Sequence, residues 1–275
     1  MRQIALIAGK EVRDGLRNRW VVAVTLLLAL FALTLSFLGA APTGSVKVSP
    51  LAVTIVSLSS LSIFLLPMIA LLLSYDAIIG EWERGTLGLL LAYPVARWQV
   101  MLGKFAGHVG ILAMATVLGY GMAGAAAMLN SADLANDWRD FAAMVMSSVL
   151  LGAVFIAIGY VVSAAVHDRG MAGGLAIGVW LVFVLVYDMA LLGVLVVDQG
   201  RMLSETVVNW LLLFNPTDTY RLFNLAGTTK VGTFSGMAGL AAQVHLGPAP
   251  LIGVLLLWCA VPLLAATWVF SRREV

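Results

Sequence analysis

Residues 76–104 read DAIIGEWERGTLGLLLAYPVARWQVMLGK. Asp76, Glu81, Glu83, Arg84, Arg97 and Lys104 fall in this run, in a chain that holds only 16 Lys and Arg and 14 Asp and Glu. Lipid cannot hold that density of charge, so the run belongs in water or at a membrane surface. Gly80, Gly85 and Gly88 punctuate it, and Pro94 interrupts it. The pattern predicts one or two short helices lying across a membrane face.

What surrounds that run decides the class. The chain is 61% hydrophobic and 11% charged over 275 residues, with a mean hydropathy of +1.01. Soluble domains carry about 25% charged residues. The expected fold is an all-α polytopic membrane protein, a single transmembrane domain over 1–275. A span needs about 20 apolar residues, and six such spans are read at 20–39, 53–75, 105–129, 141–166, 171–197 and 251–270. Pro67 should kink the second, and its Ser57, Ser59, Ser60 and Ser62 can bond across helices or back to the i−4 carbonyl. Gly121, Gly124 and Ala125 allow close approach in the third. Residues 130–140 read as a polar loop, and 167–170 as a tight turn. A net charge of +2 is too small to imply nucleic acid, and the lone Cys259 excludes a disulfide framework. The first segment does not read as a cleaved leader, because its apolar run is too long and no small-residue cleavage site follows closely.

Residues 2–19 form an amphipathic pattern. Ile4, Ala8, Val12, Leu16 and Trp20 recur every four residues, with Lys10, Arg13, Asp14 and Arg17 on other faces. The pattern predicts an interfacial helix with its basic face toward anionic lipid or a partner, or a plain basic flank that sets orientation. With six spans, one side of the bilayer carries eleven Lys and Arg and the other five, counted from the sequence. The basic side is cytoplasmic, which puts both termini, the 76–104 run and the 167–170 turn in the cytoplasm. The segment 198–250 is then the large external element. Within it, 207–214 is apolar but too short to span, Asn215-Pro216 breaks it, and Thr217 can cap a second short helix from Asp218 to Leu225. The pair reads as re-entrant or interfacial helices, with 227–240 as a flexible cover.

Candidate chemistry is sparse. No G-x-x-x-x-G-K-[ST] loop is present, so the chain does not bind ATP in that manner. His-Glu-x-x-His and G-x-S-x-G are also missing from the sequence. His108, His167 and His245 are scattered, and twelve Met in an apolar bundle are ordinarily packing rather than soft-metal ligands; no metal site is expected. Asp188 is the clearest ionisable residue inside a span. It is either a pathway or gate acid, or an outer headgroup residue paired with Arg201 or Arg221; the second reading is favoured. Asp76 reads as an interfacial anchor. In the opening run, Glu81, Glu83 and Arg84 form a charged tip, Gly85 permits a sharp turn, and Thr86 caps a helix beginning at Leu87. Leu87, Leu89, Leu90 and Leu91 should bury against the bundle, Pro94 ends that helix, and Arg97 and Lys104 hold the next one at the headgroups.

Gly80-Glu81-Trp82-Glu83-Arg84-Gly85-Thr86-Leu87, Leu89-Leu90, Pro94-Val95-Ala96-Arg97 and Gly103-Lys104 together resemble the signature of type-2 ABC transporter permeases. Lys10-Glu11, Arg13-Asp14 and Arg17-Asn18-Arg19 are similar to that family's elbow helix. The residues matched to docking and coupling are Glu81, Glu83, Arg84, Gly85, Thr86, Leu87, Pro94, Arg97 and Lys104, with Lys10, Glu11, Arg13 and Arg17 in the elbow. Asp14 to Trp20, Tyr75 to Ile78 and Asn215 to Leu222 resemble a branch of the family that serves assembly of the copper–sulfide centre of nitrous-oxide reductase. The resemblance implies a homodimer in a bacterial inner membrane, with ATP and magnesium bound by two copies of a separate cytoplasmic ATPase subunit and no cofactor on this chain. It also implies a periplasmic β-helical partner. Asp188, Asn215, Pro216, Asp218, Tyr220 and Arg221 are candidates for a pathway or external gate. The rival readings are a type-2 exporter of a drug, lipid or polysaccharide, a proton-coupled secondary transporter working through Asp188, and a membrane anchor for a periplasmic complex.

Overall fold

The computed structural model describes residues 2–17, 19–39, 50–128, 134–198, 204–226 and 247–273. Lys47, Arg201, His245 and the 227–240 stretch lie outside the described residues. Every described element is a helix: α1 (Arg2–Leu16), α2 (Arg19–Gly39), α3 (Pro50–Ser74), α4 (Ile79–Glu83), α5 (Thr86–Leu91), α6 (Arg97–Met128), α7 (Leu134–Ala165), α8 (Arg169–Leu181), α9 (Tyr187–Asp198), α10 (Glu205–Leu213), α11 (Pro216–Ala226) and α12 (Pro248–Arg272). A turn of π-helix, Val182–Val186, joins α8 to α9. Among the described residues, five runs are long and apolar enough to cross a membrane: Thr54–Glu83, Arg97–Ala127, Trp138–Ala165, Arg169–Asp198 and Pro248–Arg272. A sixth is reached through α1 and Val21–Leu35, which meet at a 71° bend. The protein is an all-α polytopic membrane protein.

In lipid, apolarity cannot choose which helix lies inside, because the tails are as apolar as leucine. Small residues and hydroxyls choose it instead. The central helix is α7, with Leu151, Val154, Phe155, Ile156 and Tyr160 fully or almost fully buried. Gly159 sits so close to α3 that a methyl there would lie 2.0 Å from the Ser74 hydroxyl. Ser62 of α3 meets the Tyr120 hydroxyl of α6 at 2.8 Å, and also donates to the Leu58 carbonyl at 2.7 Å. Serines of α3 thus bond in both of the ways expected for them. Of the third-span glycines, Gly124 faces the Phe141 ring, while Gly121 has no neighbour within 4 Å.

Two boundaries differ from the expectation. α7 begins at Leu134 rather than after a loop to 140, and the Trp138 ring stacks on Phe141 one turn on, which continues the helical register outward. α6 begins at Arg97 and runs unbroken through Lys104 into the bilayer level. Lys104 is not a headgroup anchor: its side chain is 4% exposed. The helix can carry it because α1 brings an acid to it.

α1 lies along α6 on the first part of the expected stripe, Ile4, Ala8 and Val12 with Ile7 beside them. Ile4, Ile7, Ala8, Glu11 and Val12 meet Gly103, Gly107 and Gly110, while Gly15 meets Ile111. Leu16 is exposed. A methyl on Gly107 would lie 2.5 Å from the Glu11 Cβ and 3.1 Å from the Ala8 carbonyl oxygen. Glycines four and then three residues apart therefore seat the interfacial helix with Glu11 at its centre. Replacing Gly107 with leucine should destabilise this contact by about 1–3 kcal/mol, the usual cost of overpacking. Faster tryptic cutting after Arg13 or Arg17, with the remaining helices still protected, is the expected readout.

Candidate functional site: a charged joint under two short helices

The 76–104 run folds into α4 and α5, two short helices set at an angle by Gly85, whose φ of +69° is the left-handed conformation that glycine adopts without strain. Thr86 does not cap the second helix. It is the first residue of α5, and its hydroxyl donates back to the Glu81 carbonyl at 3.2 Å. α5 ends at Leu91, three residues before Pro94. Of the expected leucines, Leu87 is fully buried, Leu90 is half-buried and Leu89 is 69% exposed.

Glu81 does not belong to an exposed tip. It turns inward, where Lys104 Nζ donates to Glu81 Oε1 at 2.7 Å and to Glu11 Oε1 at 2.9 Å. One ammonium thus joins α1, α4 and α6. Burial by itself would raise the Glu11 carboxyl; the Lys104 charge and hydrogen bond outweigh it and hold it below its ordinary value of 4.5. Lys10, at the rim, lies 3.5 Å from both Glu11 and Asp14. One turn along α6, His108 places Nε2 3.8 Å from Glu11 Oε2 and Nδ1 2.8 Å from the Tyr160 hydroxyl of α7.

Further ties spread from this point. Asp76, just past the end of α3, pairs with α8: its Oδ2 takes the Arg169 guanidinium at 2.5 Å. Glu83 Oε1 accepts the Arg169 backbone N–H at 2.9 Å, at the start of α8. The Ser163 hydroxyl of α7 accepts the N–H groups of Ile78 and Ile79 at 2.9 and 3.2 Å, which supplies the cap that α4 lacks in its own sequence. Arg97 donates to the carbonyls of Phe270 and Arg273 at 2.8 and 2.6 Å, at the end of α12. Arg273 in turn reaches the Ala164 and Val166 carbonyls at the end of α7, and stacks 4.9 Å over Trp82 of α4. Cations placed on orphan carbonyls at helix ends are favourable in charge and in hydrogen bonding. Gln3 donates to the Pro94 carbonyl at 2.9 Å, closing α1 onto the segment after α5. Arg84, Arg13 and Arg17 stay exposed.

The other predicted residues form a separate cluster. Asn215, Thr217 and Asp218 are fully buried. The turn between α10 and α11 is therefore packed against the bundle. Asn215 is the cap, not Thr217: its Oδ1 accepts the Thr217 N–H at 3.1 Å and the Thr217 hydroxyl at 2.8 Å, and Pro216 opens α11. Asn215 Nδ2 donates to the Phe183 carbonyl inside the π turn at 2.9 Å, and the Thr217 hydroxyl lies 3.2 Å from the same oxygen. Arg221 bridges Asp188, at 2.7 Å, and Asp218. Tyr220 meets the Ser148 hydroxyl of α7 at 2.8 Å. Asp188 is thus a paired residue latching the hairpin to α9.

Asp76, Trp82, His108, Ser163, Arg169 and Arg273 were missed as site residues. Only the regular i, i+4 spacing of Lys104 and His108 could have flagged one of them; the rest meet across more than 80 residues of chain.

Residues 5–275 match the family described as ABC-2 family transporter protein. The chain belongs to the ABC-2 family. Over 275 residues, and 99% of each chain, it is 48% identical to the protein described as probable ABC transporter permease protein NosY of Stutzerimonas stutzeri. It is 45% identical over 271 residues, 98% of each chain, to the protein of the same description from Pseudomonas aeruginosa. This ABC-2 protein is therefore the membrane subunit of an ABC transporter, and membership of that class sets the proton-driven reading of Asp188 aside.

Two outcomes test the joint. Lys104→Met strands two buried carboxylates in the permease and should cost about 3–5 kcal/mol, the range for breaking a buried pair from one side; adding Glu11→Gln and Glu81→Gln should recover most of the lost thermal stability. Because the folded Glu11 value is depressed, its contribution is complete above pH 4.5 and fades as pH falls through the lower folded value. A solvatochromic probe on Leu6→Cys should report release of α1 in that acidic window, and the response should vanish in Glu11→Gln.

Proposed function

We propose that this permease converts ATP hydrolysis on a separate subunit into movement of its helices, in the service of copper–sulfide centre assembly in nitrous-oxide reductase. The observation that carries the coupling part is the Lys104 joint. A load applied to α4 passes through Glu81 to α6 and α1, through Asp76, Glu83 and Arg169 to α8, and through Arg273 to α7 and α12. Ionic and backbone ties of this kind move as rigid bodies rather than stretch.

The docking surface is the outward side of α4 and α5. Glu83, Arg84 and Gly85 lie there with exposed Leu89 and Tyr93, next to exposed Leu6 and Trp98. Exposed apolar side chains rimmed by charge are the ordinary composition of a protein interface. The occupant is the ATP-binding subunit, in two copies on a homodimer of this chain, with ATP and magnesium held there. The Lys and Arg distribution supports an inner-membrane orientation with both termini in the cytoplasm. The hairpin α10–α11 then faces the periplasm, where an accessory protein would receive the change. The nitrous-oxide reductase role rests on the likeness to proteins named NosY, together with the Asn215 to Leu222 and Asp14 to Trp20 stretches. The rival is an ABC-2 exporter of another substrate.

A strain lacking this chain should make reductase protein whose copper–sulfide absorption is missing, and wild-type chain should restore it. Arg84→Glu should reach the membrane, fail to restore the centre, and lose co-purification of the ATPase. An intact centre in the deletion strain removes the reductase role; normal ATPase recovery with Arg84→Glu removes the docking role.

A further inference from the structure

Two carboxyls and one guanidinium meet where α9 and α11 converge. Arg221 donates to Asp188 Oδ2 at 2.7 Å and to Asp218 Oδ1. Asn215 Nδ2 donates to Asp218 Oδ2 at 3.0 Å. Asp188 and Asp218 also stand within hydrogen-bond reach of each other. When ionised, both are acceptors only, so neither can donate to the other. Asp188 Oδ1 is buried without a hydrogen-bond partner. A buried carboxylate oxygen without a donor loses its hydration and gains nothing in return.

The other groups around the pair do not supply the donor. Tyr187 of α9 faces both acids, but its hydroxyl donates to the Leu211 carbonyl at 2.6 Å. The Thr217 hydroxyl is taken up by Asn215 at 2.8 Å. From α12, the Trp258 indole donates to the Leu213 carbonyl at 3.1 Å. Arg221 is the cation that faces both acids. Its side chain is 15% exposed, that of Asp188 17%, and that of Asp218 is fully buried. With both acids ionised, this cluster holds one negative charge too many, largely out of reach of water. An uncompensated buried charge is strongly destabilising. A metal ion does not fit the gap: no group of three or more His, Cys, Asp or Glu among the described residues could hold one, and the guanidinium already lies between the carboxylates.

We propose that Asp188 and Asp218 share one resident proton, and that this proton closes the latch between the α10–α11 hairpin and α9. It makes the missing hydrogen bond between the two acids and leaves the cluster neutral. The proton stays in the chain and drives no transport. Burial, opposed by Arg221 and reinforced by Asp188, raises the Asp218 carboxyl, in α11 outside the five spans, from its ordinary 3.8 to about 7. Because the folded value is raised, the contribution is complete below pH 3.8 and is lost as pH rises through about 7. Alkaline pH then sets two adjacent negative charges on one guanidinium and loosens the hairpin. The Glu11 tie fades in acid instead, so one pH series tells the two apart. This holds whichever substrate the transporter serves.

The test uses the full chain in nanodiscs, carrying Cys259→Ser and spin labels on Val194→Cys and Val207→Cys, exposed residues of α9 and α10. The distance distribution between the labels should be narrow at about pH 5 and broad at about pH 9, with the ratio of open to closed hairpin rising by up to about tenfold per pH unit, the slope of one proton. The midpoint should lie near 7. Asp218→Asn keeps the shape of the carboxyl and brings its own N–H donor, so its distribution should stay narrow throughout. In the infrared spectrum of the unlabelled chain, a protonated-carboxyl stretch should be present at about pH 6, fade over the same interval as the hairpin opens, and be missing from Asp218→Asn. A distribution that does not change with pH, or the same midpoint in Asp218→Asn, overturns the proposal. Loss of the infrared band with the hairpin distances unchanged overturns the role of the proton in the latch. Should Asp218→Asn fail to accumulate, Asp188→Asn takes its place, because an amide at either position removes the shared proton. Should both fail, the wild-type spectrum decides alone: no protonated carboxyl at about pH 6 means no shared proton.

Discussion

A single ammonium group, that of Lys104, cannot be removed from water unless acids come with it. Burying a charge alone is prohibitive, and even a paired charge needs its remaining bonds made. α6 carries Lys104 below the surface at the one level where α1 supplies Glu11 and α4 supplies Glu81. The position of two otherwise marginal elements, an interfacial helix and a five-residue helix, is therefore set by one cation. α4 could not persist as an isolated helix of that length. It persists because Lys104 holds its acid, Ser163 caps its first N–H groups and Arg273 covers its tryptophan.

The same economy recurs at the helix ends. Arg97 and Arg273 each lie on the last carbonyls of another helix, so the chain uses its few cations where the backbone already presents unpaired acceptors. Apolar packing in lipid holds helices together with little directional preference. The ionic and backbone ties, all gathered at one end of the bundle, give the coupling region a defined geometry. At the other end the Phe183 carbonyl inside the π turn, the buried Asn215 and the Asp188–Arg221–Asp218 cluster perform a comparable task for the α10–α11 hairpin. The protein is stiffened at both ends and joined by an apolar middle whose contacts are close through glycine and hydroxyl side chains.

Much of the fold was legible beforehand for a simple reason: the length and apolarity of a membrane span are properties of the sequence itself. The short helices at 79–91, the interfacial helix at 2–16 and the breaks at 166–168 and 214–215 follow from charge, glycine and proline placement. The reading of individual charges was weaker. Judged against the bilayer alone, Lys104 and Arg97 read as headgroup anchors and Glu81 as part of a charged tip, and nothing in the local sequence names the partner of Asp76. Asp188 was read correctly as the partner of an arginine, since Arg221 was near enough in sequence to be considered. Thr217 was chosen as a cap over Asn215 because the helix was started two residues late.

The sequence by itself determined that this is a helical membrane protein of the ABC-2 family, with a polar, glycine-punctuated run set between its spans. It contains no phosphate-loop pattern for ATP. Only the tertiary structure decided which charges are structural joints, that α7 is the central helix, that the turn of the α10–α11 hairpin is buried, and that a cavity of about 600 Å³ adjoins the joint. The physical reason is that solvation by water or lipid is read residue by residue, whereas the partner that makes a buried charge tolerable lies tens of residues away and is found only when the helices pack.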